Sequence, residues 1–293
     1  MSALSSANCK SSVRLHAVRS EAFYVDVRGG RRFCIVHRPN TVEPRGALVH
    51  IHAFAEEMNK SRRTVALAAR SLAAHGWAVL LIDLAGCGDS SGNFSDAAWG
   101  DWVEDALFAH HWASTQFSGP RWLWGLRAGC LIAAQASKSL EGRVPLLLWQ
   151  PVLSGRLHLT QFLRLRLANE ALSGHTDERS GTKALRSRLL AGEPLEVAGY
   201  VLHPRLAAGL DEAELRLEAQ RAQVSCLEVG TEPNAQLAPA TAARLAEIRA
   251  RGVPVDSAAV TGPPFWHTVE IAECSALGEV TVAMLDRTNA VDL

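Results

Sequence analysis

Short apolar runs recur along this chain with helical stretches between them, and that rhythm limits the available folds more than any single residue does. Residues 47–53 (ALVHIHA), 77–84 (WAVLLIDL), 121–126 (RWLWGL), 145–152 (PLLLWQPV), 224–230 and 255–261 each read as strands. The longest are almost wholly apolar rather than alternating, as in strands covered on both faces. Helical periodicity fills the intervals at 61–75, ended by Gly76, at 96–114 with Asp96 as N-cap, and at 128–140, 237–251 and 268–286. This alternation predicts an α/β fold with a mostly parallel, doubly wound sheet. Residues 21–38 add two short strands around Arg28-Gly29-Gly30-Arg31, a hairpin signal.

The rhythm breaks once. Residues 154–222 lack strand-like runs and carry helical periodicity interrupted by Gly and Pro. They are expected to form a helical lid or cap inserted into a core made of 21–153 and 223–293, with 1–20 as a loose, Ser-rich, disordered tail. Arg156, Arg164, Arg166, Arg179, Lys183, Arg186 and Arg188 make the insertion locally basic. Such a stretch reads as a solvated helix face, or as one turned toward an acidic partner or a membrane surface. Leu157, Leu159, Phe162, Leu163, Leu165 and Leu167 are interleaved with the cations, which predicts an amphipathic lid helix over an apolar cleft suited to an acyl chain.

Composition excludes several classes. Of 293 residues, 48% are hydrophobic and 20% charged, so the chain can bury a core. Lys plus Arg equals Asp plus Glu at 30 each, and no net field favours nucleic acid, which is not an expected partner. No run approaches the roughly 20 apolar residues of a membrane span, and the N-terminus lacks the apolar core of a secretory signal, so a cytoplasmic protein is expected. The six cysteines are scattered without a CxxC pair, arguing against a zinc site or disulfide framework. His50-x-His52 puts two imidazoles on one strand face, followed by Glu56, but a metal needs further ligands and none has suitable spacing. Neither a metal nor another cofactor is expected. His110-His111 reads as one buried and one exposed residue of a helix.

Ligand sites in doubly wound sheets lie beyond the carboxyl ends of the strands, so the loops there carry the functional reading. The strand at 121–126 runs into Gly125-Leu126-Arg127-Ala128-Gly129, the G-x-X-x-G spacing of a nucleophile elbow. Asp83-Leu84-Ala85-Gly86-Cys87-Gly88-Asp89-Ser90 is similar to the D-x-x-G-x-G-x-S loop of the α/β-hydrolase superfamily. The centre of the elbow departs from the pattern. A guanidinium stands where a hydrolase carries Ser, Cys or Asp, and it stays protonated and cannot attack a carbonyl. Cys130, Cys87, Ser90 and Ser91 are the other nearby nucleophile types, and each reads better as structural; Cys87 is the best of them.

The segments 54–63 (FAEEMNKSRR), 84–92 (LAGCGDSSG), 125–129 (GLRAG) and 262–267 (GPPFWH) together resemble the α/β-hydrolase-like proteins of bacterial exosortase systems, specifically the exosortase A system-associated hydrolase 2 type. The resemblance extends from about residue 45 over most of the chain, and FAEEMNKSRR is its most specific string. It implies an α/β-hydrolase fold, a link to exopolysaccharide biosynthesis with a possible protein partner in that machinery, and a hydrolase label resting on fold. It also implies that the elbow Arg belongs to the family.

The residues allow a pocket for an acyl or anionic small molecule. Phe54, or a close neighbour, and Ala128 occupy the positions whose amides bind an oxyanion in an active hydrolase. Arg127 adds a full positive charge; Lys60, Arg62 and Arg63 add more, and Glu56 and Glu57 offset part of it. Arg127 would either clamp a carboxylate or phosphate, or be neutralised by Glu56 or Glu57. Triad order in this fold is nucleophile, acid, His. That order makes Glu232, after the strand 224–230, and His267, after the strand 255–261, the candidate catalytic pair. Such a pair could activate only water or a substrate hydroxyl or thiol. The competing expectation is a non-catalytic binding or scaffold protein that kept the fold.

Overall fold

The computed structural model describes residues 15–40, 42–172, 181–217 and 223–289. Its centre is an eight-stranded sheet of β1 (Val18–Val27), β2 (Gly30–Pro39), β3 (Ala47–Ile51), β4 (Ala78–Ile82), β5 (Arg121–Leu126), β6 (Leu146–Trp149), β9 (Val224–Gly230) and β10 (Val255–Thr261). The spatial order is β1-β2-β4-β3-β5-β6-β9-β10. β1 and β2 form an antiparallel hairpin and β2 meets β4 antiparallel; every other pairing is parallel. The α/β sheet expected from the alternation is therefore present.

Both faces of the central strands are covered, which is why β4 and β6 are apolar throughout. Val49 and Ile51 of β3 join the core beneath α2 (Trp99–Gln116) and α3 (Gly129–Ser137). Leu48, one residue out of phase, packs instead with Leu72 of α1 (Glu56–Ala74) and Leu277 of α8 (Ser275–Asn289). α7 (Pro239–Ala250) connects β9 to β10.

Several boundaries differ from those read in the sequence. The first strand starts at Val18, so residues 18–20 of the expected tail are in the sheet, with the Ser20 hydroxyl 2.7 Å from the His37 ring; residues 1–14 lie outside the described residues. α1 starts at Glu56 rather than 61, placing Glu57 and Lys60 on its first turns. Asp96 caps a 3-10 turn (Phe94–Asp96) instead of α2, accepting from the Asn93 amide at 3.1 Å. The last helix starts at Ser275, not 268, because 262–274 forms turns and loop tied to α1: Lys60 Nζ donates to Val269 O at 2.7 Å and Thr64 Oγ1 to Ala272 O at 3.1 Å.

Between β6 and β9 the chain leaves the sheet and forms α4 (Gly155–Leu172), α5 (Thr182–Leu190), a hairpin of β7 (Leu195–Val197) and β8 (Tyr200–Leu202), and α6 (Pro204–Glu212). The hairpin was not expected. It turns at Ala198-Gly199, both at positive φ, the geometry of a tight two-residue connection. The basic side chains here are largely paired within the excursion: Arg166 with Glu170, Arg186 and Arg156 with the buried Asp211, and Arg188 with Glu193. Arg179 falls outside the described residues. On α4, Leu159, Phe162 and Leu163 are buried, whereas Leu157 and Leu165 are exposed.

Buried polar groups tie the architecture together. Asp105 of α2 receives Arg32 Nε at 2.8 Å and the Ala85 amide at 2.7 Å, joining a helix, strand β2 and the loop after β4. Burial pushes its carboxyl above the usual range, and Arg32 works against that shift. Asp83 accepts Arg62 Nη2 and the Asp89 amide, and Ser90 Oγ bridges the Asp83 carbonyl and the Phe33 amide. His52 is fixed between the Ala53 carbonyl at Nδ1 and the Leu84 amide at Nε2. His110 is buried and His111 exposed.

Two stability predictions follow from these contacts. Asp105→Ala strands the buried Arg32 and should cost about 3–5 kcal/mol in urea denaturation. Burial lowers His50 to about 3, so the folded state excludes a proton that the unfolded chain takes up near its ordinary pKa of about 6.5. Stability is then full above pH 6.5 and falls as the pH drops toward 3, by about 2 kcal/mol at pH 5 from this group alone. Denaturation of wild type and His50→Asn at pH 7 and pH 5 should show a smaller acid loss in the variant.

Candidate functional site

The elbow exists as read. Arg127 follows β5 at φ 55°, in the left-handed region that a bulky residue enters only under constraint. The constraints are visible. Its amide donates to the Trp149 carbonyl at 3.0 Å, and its carbonyl accepts from Cys130 at 3.1 Å. A Cβ at Gly125 would fall 2.5 Å from the Cys130 Cα, and one at Gly129 would strike the Ile51 carbonyl oxygen. The two glycines let α3 start hard against β3 and β5, and the turn lifts residue 127 above the sheet edge.

From there the guanidinium enters a cleft of about 390 Å³ whose walls include Phe54, Lys60, Phe162, Leu165, Trp266 and His267. Nε and Nη2 both donate to Glu57 Oε1, at 3.1 and 3.0 Å, and the guanidinium carbon lies 5.4 Å from the Trp266 ring centre. The partner is therefore Glu57 rather than Glu56. Glu56 is engaged elsewhere, accepting from Tyr200 Oη and Asn59 Nδ2 at 3.0 Å each. Nη1 of Arg127 has no protein acceptor among the described residues.

His158 of α4 closes this group from the other side. Its Nε2 is 4.0 Å from Glu57 Oε2, too long for a hydrogen bond. Both ring nitrogens and Glu57 Oε2 are buried without a partner. Burial holds the imidazole below its ordinary pKa; Glu57 opposes that shift and Arg127 adds to it. The ring meets Phe54 edge-on at 5.8 Å, and Phe54 meets Phe162 at 5.1 Å. Sequence reasoning passed over His158 and Trp266. A signal for His158 was present: residues 158, 161, 162 and 165 share one helical face by i, i+3, i+4, i+7 spacing and all line the cleft.

Phe54 and Ala128 lie at the buried base of the elbow. Neither amide donates to a protein acceptor among the described residues. Ala55, between Phe54 and α1, is held at φ 50° and ψ −128°.

The proposed catalytic pair is not joined. His267 is exposed on the cleft rim, its ring 5.5 Å from that of Trp266. Glu232 is exposed, and its backbone carbonyl accepts from Thr261 Oγ1 at 3.0 Å. Among the described residues no hydrogen bond or ion pair links the two. The buried carboxylate of that region is Glu228 in β9, spent on the Ala238 amide and Thr241 Oγ1, each at 2.6 Å. Other nucleophile types are unsuited. Burial pushes the Cys87 thiol up to about 12 and also raises that of Cys130 well above its ordinary value, and Ser90 is committed to its loop. No group of three or more His, Cys, Asp or Glu with metal-holding geometry occurs among the described residues, and no described helix is long and apolar enough to cross a membrane.

Known structures share this frame. A feruloyl-bound protein is the first of them: Est1E from Butyrivibrio proteoclasticus, solved with ferulic acid, superposes with a TM-score of 0.64 at 16% identity, covering 92% of this chain and 100% of that one. A thermostable carboxyl esterase from Bacillus coagulans, in complex with glycerol, gives 0.59 at 14% over 92% and 98%. Mouse alpha/beta hydrolase domain-containing protein 10 gives 0.56 at 13% over 93% and 100%. At such identities the likeness is one of fold. Comparison with curated protein sequences finds no match. The family model described as "Serine aminopeptidase, S33" matches residues 42–227, from before β3 through the elbow and into β9. The chain belongs to that family of α/β-hydrolase proteins.

Proposed function

We propose that this is a hydrolase-fold protein of exosortase-linked exopolysaccharide systems that binds an acyl or otherwise anionic small molecule, with Arg127 in place of the elbow serine. The observation that carries the reading is the guanidinium itself. It is raised by the elbow into a cleft with aromatic and aliphatic walls, is fixed on one edge by Glu57, and retains Nη1 for a ligand. In this reading residues 21–153 and 223–293 form the core, and 154–222 form a cap whose α4 supplies one wall. An acyl tail packs against Phe54, Phe162 and Trp266. A carboxylate or carbonyl head meets Arg127, with Lys60 at the mouth and the Phe54 and Ala128 amides at the base. The link to exopolysaccharide machinery, and a protein partner within it, rest on the resemblance carried by FAEEMNKSRR and GPPFWH.

Binding is favoured over turnover because the parts of a serine mechanism are separated. Arg127 offers no nucleophile, and His267 lacks an orienting acid. A second reading, slow hydrolysis with His267 moving protons to or from a bound water, draws support from the two retained amides, which suit a developing oxyanion.

A fluorophosphonate probe should leave the protein unlabelled, and stoichiometric labelling of a serine would overturn the loss of nucleophile. Calorimetry with octanoate should show binding that weakens about tenfold or more in Arg127→Met, the scale of one charge-assisted hydrogen bond. The double variant Arg127→Met/Glu57→Met, which removes both charges together, controls for the stranded carboxylate. Equal octanoate affinity in wild type and both variants would remove Arg127 from ligand capture.

A further inference from the structure

We propose that the cleft selects a hydroxylated acyl ligand, whose hydroxyl bridges His158 and Glu57 while its carboxyl or carbonyl group meets Arg127. The inference rests on the binding role given to Arg127 above and deepens it by naming the ligand's second polar group.

The geometry asks for a group that donates and accepts at once. Glu57 Oε2 can only accept, and a neutral imidazole with its proton on Nε2 can only donate from that atom. They lie 4.0 Å apart, both buried and both unpartnered. One oxygen about 2.8 Å from each would satisfy both, which is an ordinary hydroxyl hydrogen-bond length. A hydroxyl does this by giving its proton to the carboxylate and taking the imidazole N–H. An ammonium could serve Glu57 but could not accept from His158. A carboxylate or phosphate at that point would be repelled by Glu57.

The spacing of the ligand's two polar groups follows from the carboxylate. Oε1 of Glu57 already holds Arg127, so the free Oε2 lies one carboxylate width from the oxygen that binds the guanidinium. The ligand's hydroxyl and its carbonyl-type oxygen must therefore be a few bonds apart, as in 2- or 3-hydroxyacyl groups, and not at opposite ends of a chain. Phe162 and Leu165, from the same helix as His158, line the cleft beside it, and Nε2 and Oε2 are themselves closed off from solvent. Seating the hydroxyl thus takes an outward shift of α4, which carries His158 and the apolar wall together.

Calorimetric titration with 3-hydroxyoctanoate and octanoate tests the idea on the full chain. Wild type should prefer the hydroxy acid about tenfold, and His158→Phe should bring the ratio of the two affinities to about one. His158→Gln, which keeps an N–H donor, should retain part of the preference, and thermal melting checks that each variant is folded. Equal affinity of wild type for both acids would overturn the hydroxyl assignment, water then being the bridge, and would leave the octanoate site standing. Failure of wild type to bind either acid would overturn both this assignment and the reading it rests on. A hydroxy-acid preference that survives in both His158 variants would place the hydroxyl elsewhere and also overturn the assignment.

Discussion

The ion pair between Arg127 and Glu57 organises the upper end of this molecule. One partner comes from the turn after β5 and the other from the first turn of α1, so the pair locks together the two loops that build the cleft. Glu57 also sits where the helix favours it, since the unpaired amides of a helix N-terminus attract negative charge. In a hydrolase of this fold, the oxyanion beside the elbow forms only during reaction. Here a resident carboxylate supplies negative charge permanently, opposite a permanent cation. The turn has kept the left-handed backbone and the two close-packed glycines that present a side chain above the sheet, while the side chain presented has changed from a reactant into an electrostatic anchor.

Several buried polar residues are spent on holding this frame. Asp83, Ser90, Asp105 and Glu228 each satisfy backbone amides or buried side chains of another element. Their burial is tolerable because those bonds are made. Other buried polar atoms stay unpartnered singly, among them the indole nitrogens of Trp77, Trp122 and Trp124, His50 Nδ1 and Ser225 Oγ. In the cleft such groups face one another instead: one edge of Arg127, one oxygen of Glu57 and the ring nitrogens of His158, and that grouping is a physical sign of where a ligand belongs.

The sheet was legible because a strand covered on both faces must be apolar at nearly every position; β4 and β6 are wholly so, and β5 is after Arg121. The elbow was legible because close approach of α3 leaves no room for a Cβ at Gly125 or Gly129. The choice between Glu56 and Glu57 was not. Residues 54–60 read as lying before the helix, and only the start of α1 at Glu56 fixes which carboxylate turns toward the elbow; neighbours on a helix point about 100° apart. His158 shows in the sequence only as part of a helical face, since its role depends on how α4 lies over Phe54, a contact between segments distant in sequence. Glu232 and His267 were placed in the expected loops, but chain order specifies a loop and not the reach of its side chains. The β7–β8 hairpin was missed because three-residue strands carry too little alternation to stand out, although Ala198-Gly199 marks the turn.

The charge balance of the cleft bears on what kind of ligand suits it. Arg127 and Lys60 are matched by Glu56 and Glu57, so no net positive field draws anions in. Lys60 is also bound to the Val269 carbonyl, and Glu56 to Tyr200 and Asn59. Recognition must then come from direction rather than from total charge. A phosphate, which carries acceptors on every side, would gain from Arg127 and lose against Glu57 at nearly the same distance. A ligand with an acceptor on one side and a donor on the other gains from both, and the apolar walls reward a tail that a phosphate lacks. The same pairing that disarms the elbow as a nucleophile thereby turns its surroundings into a site that discriminates by hydrogen-bond pattern.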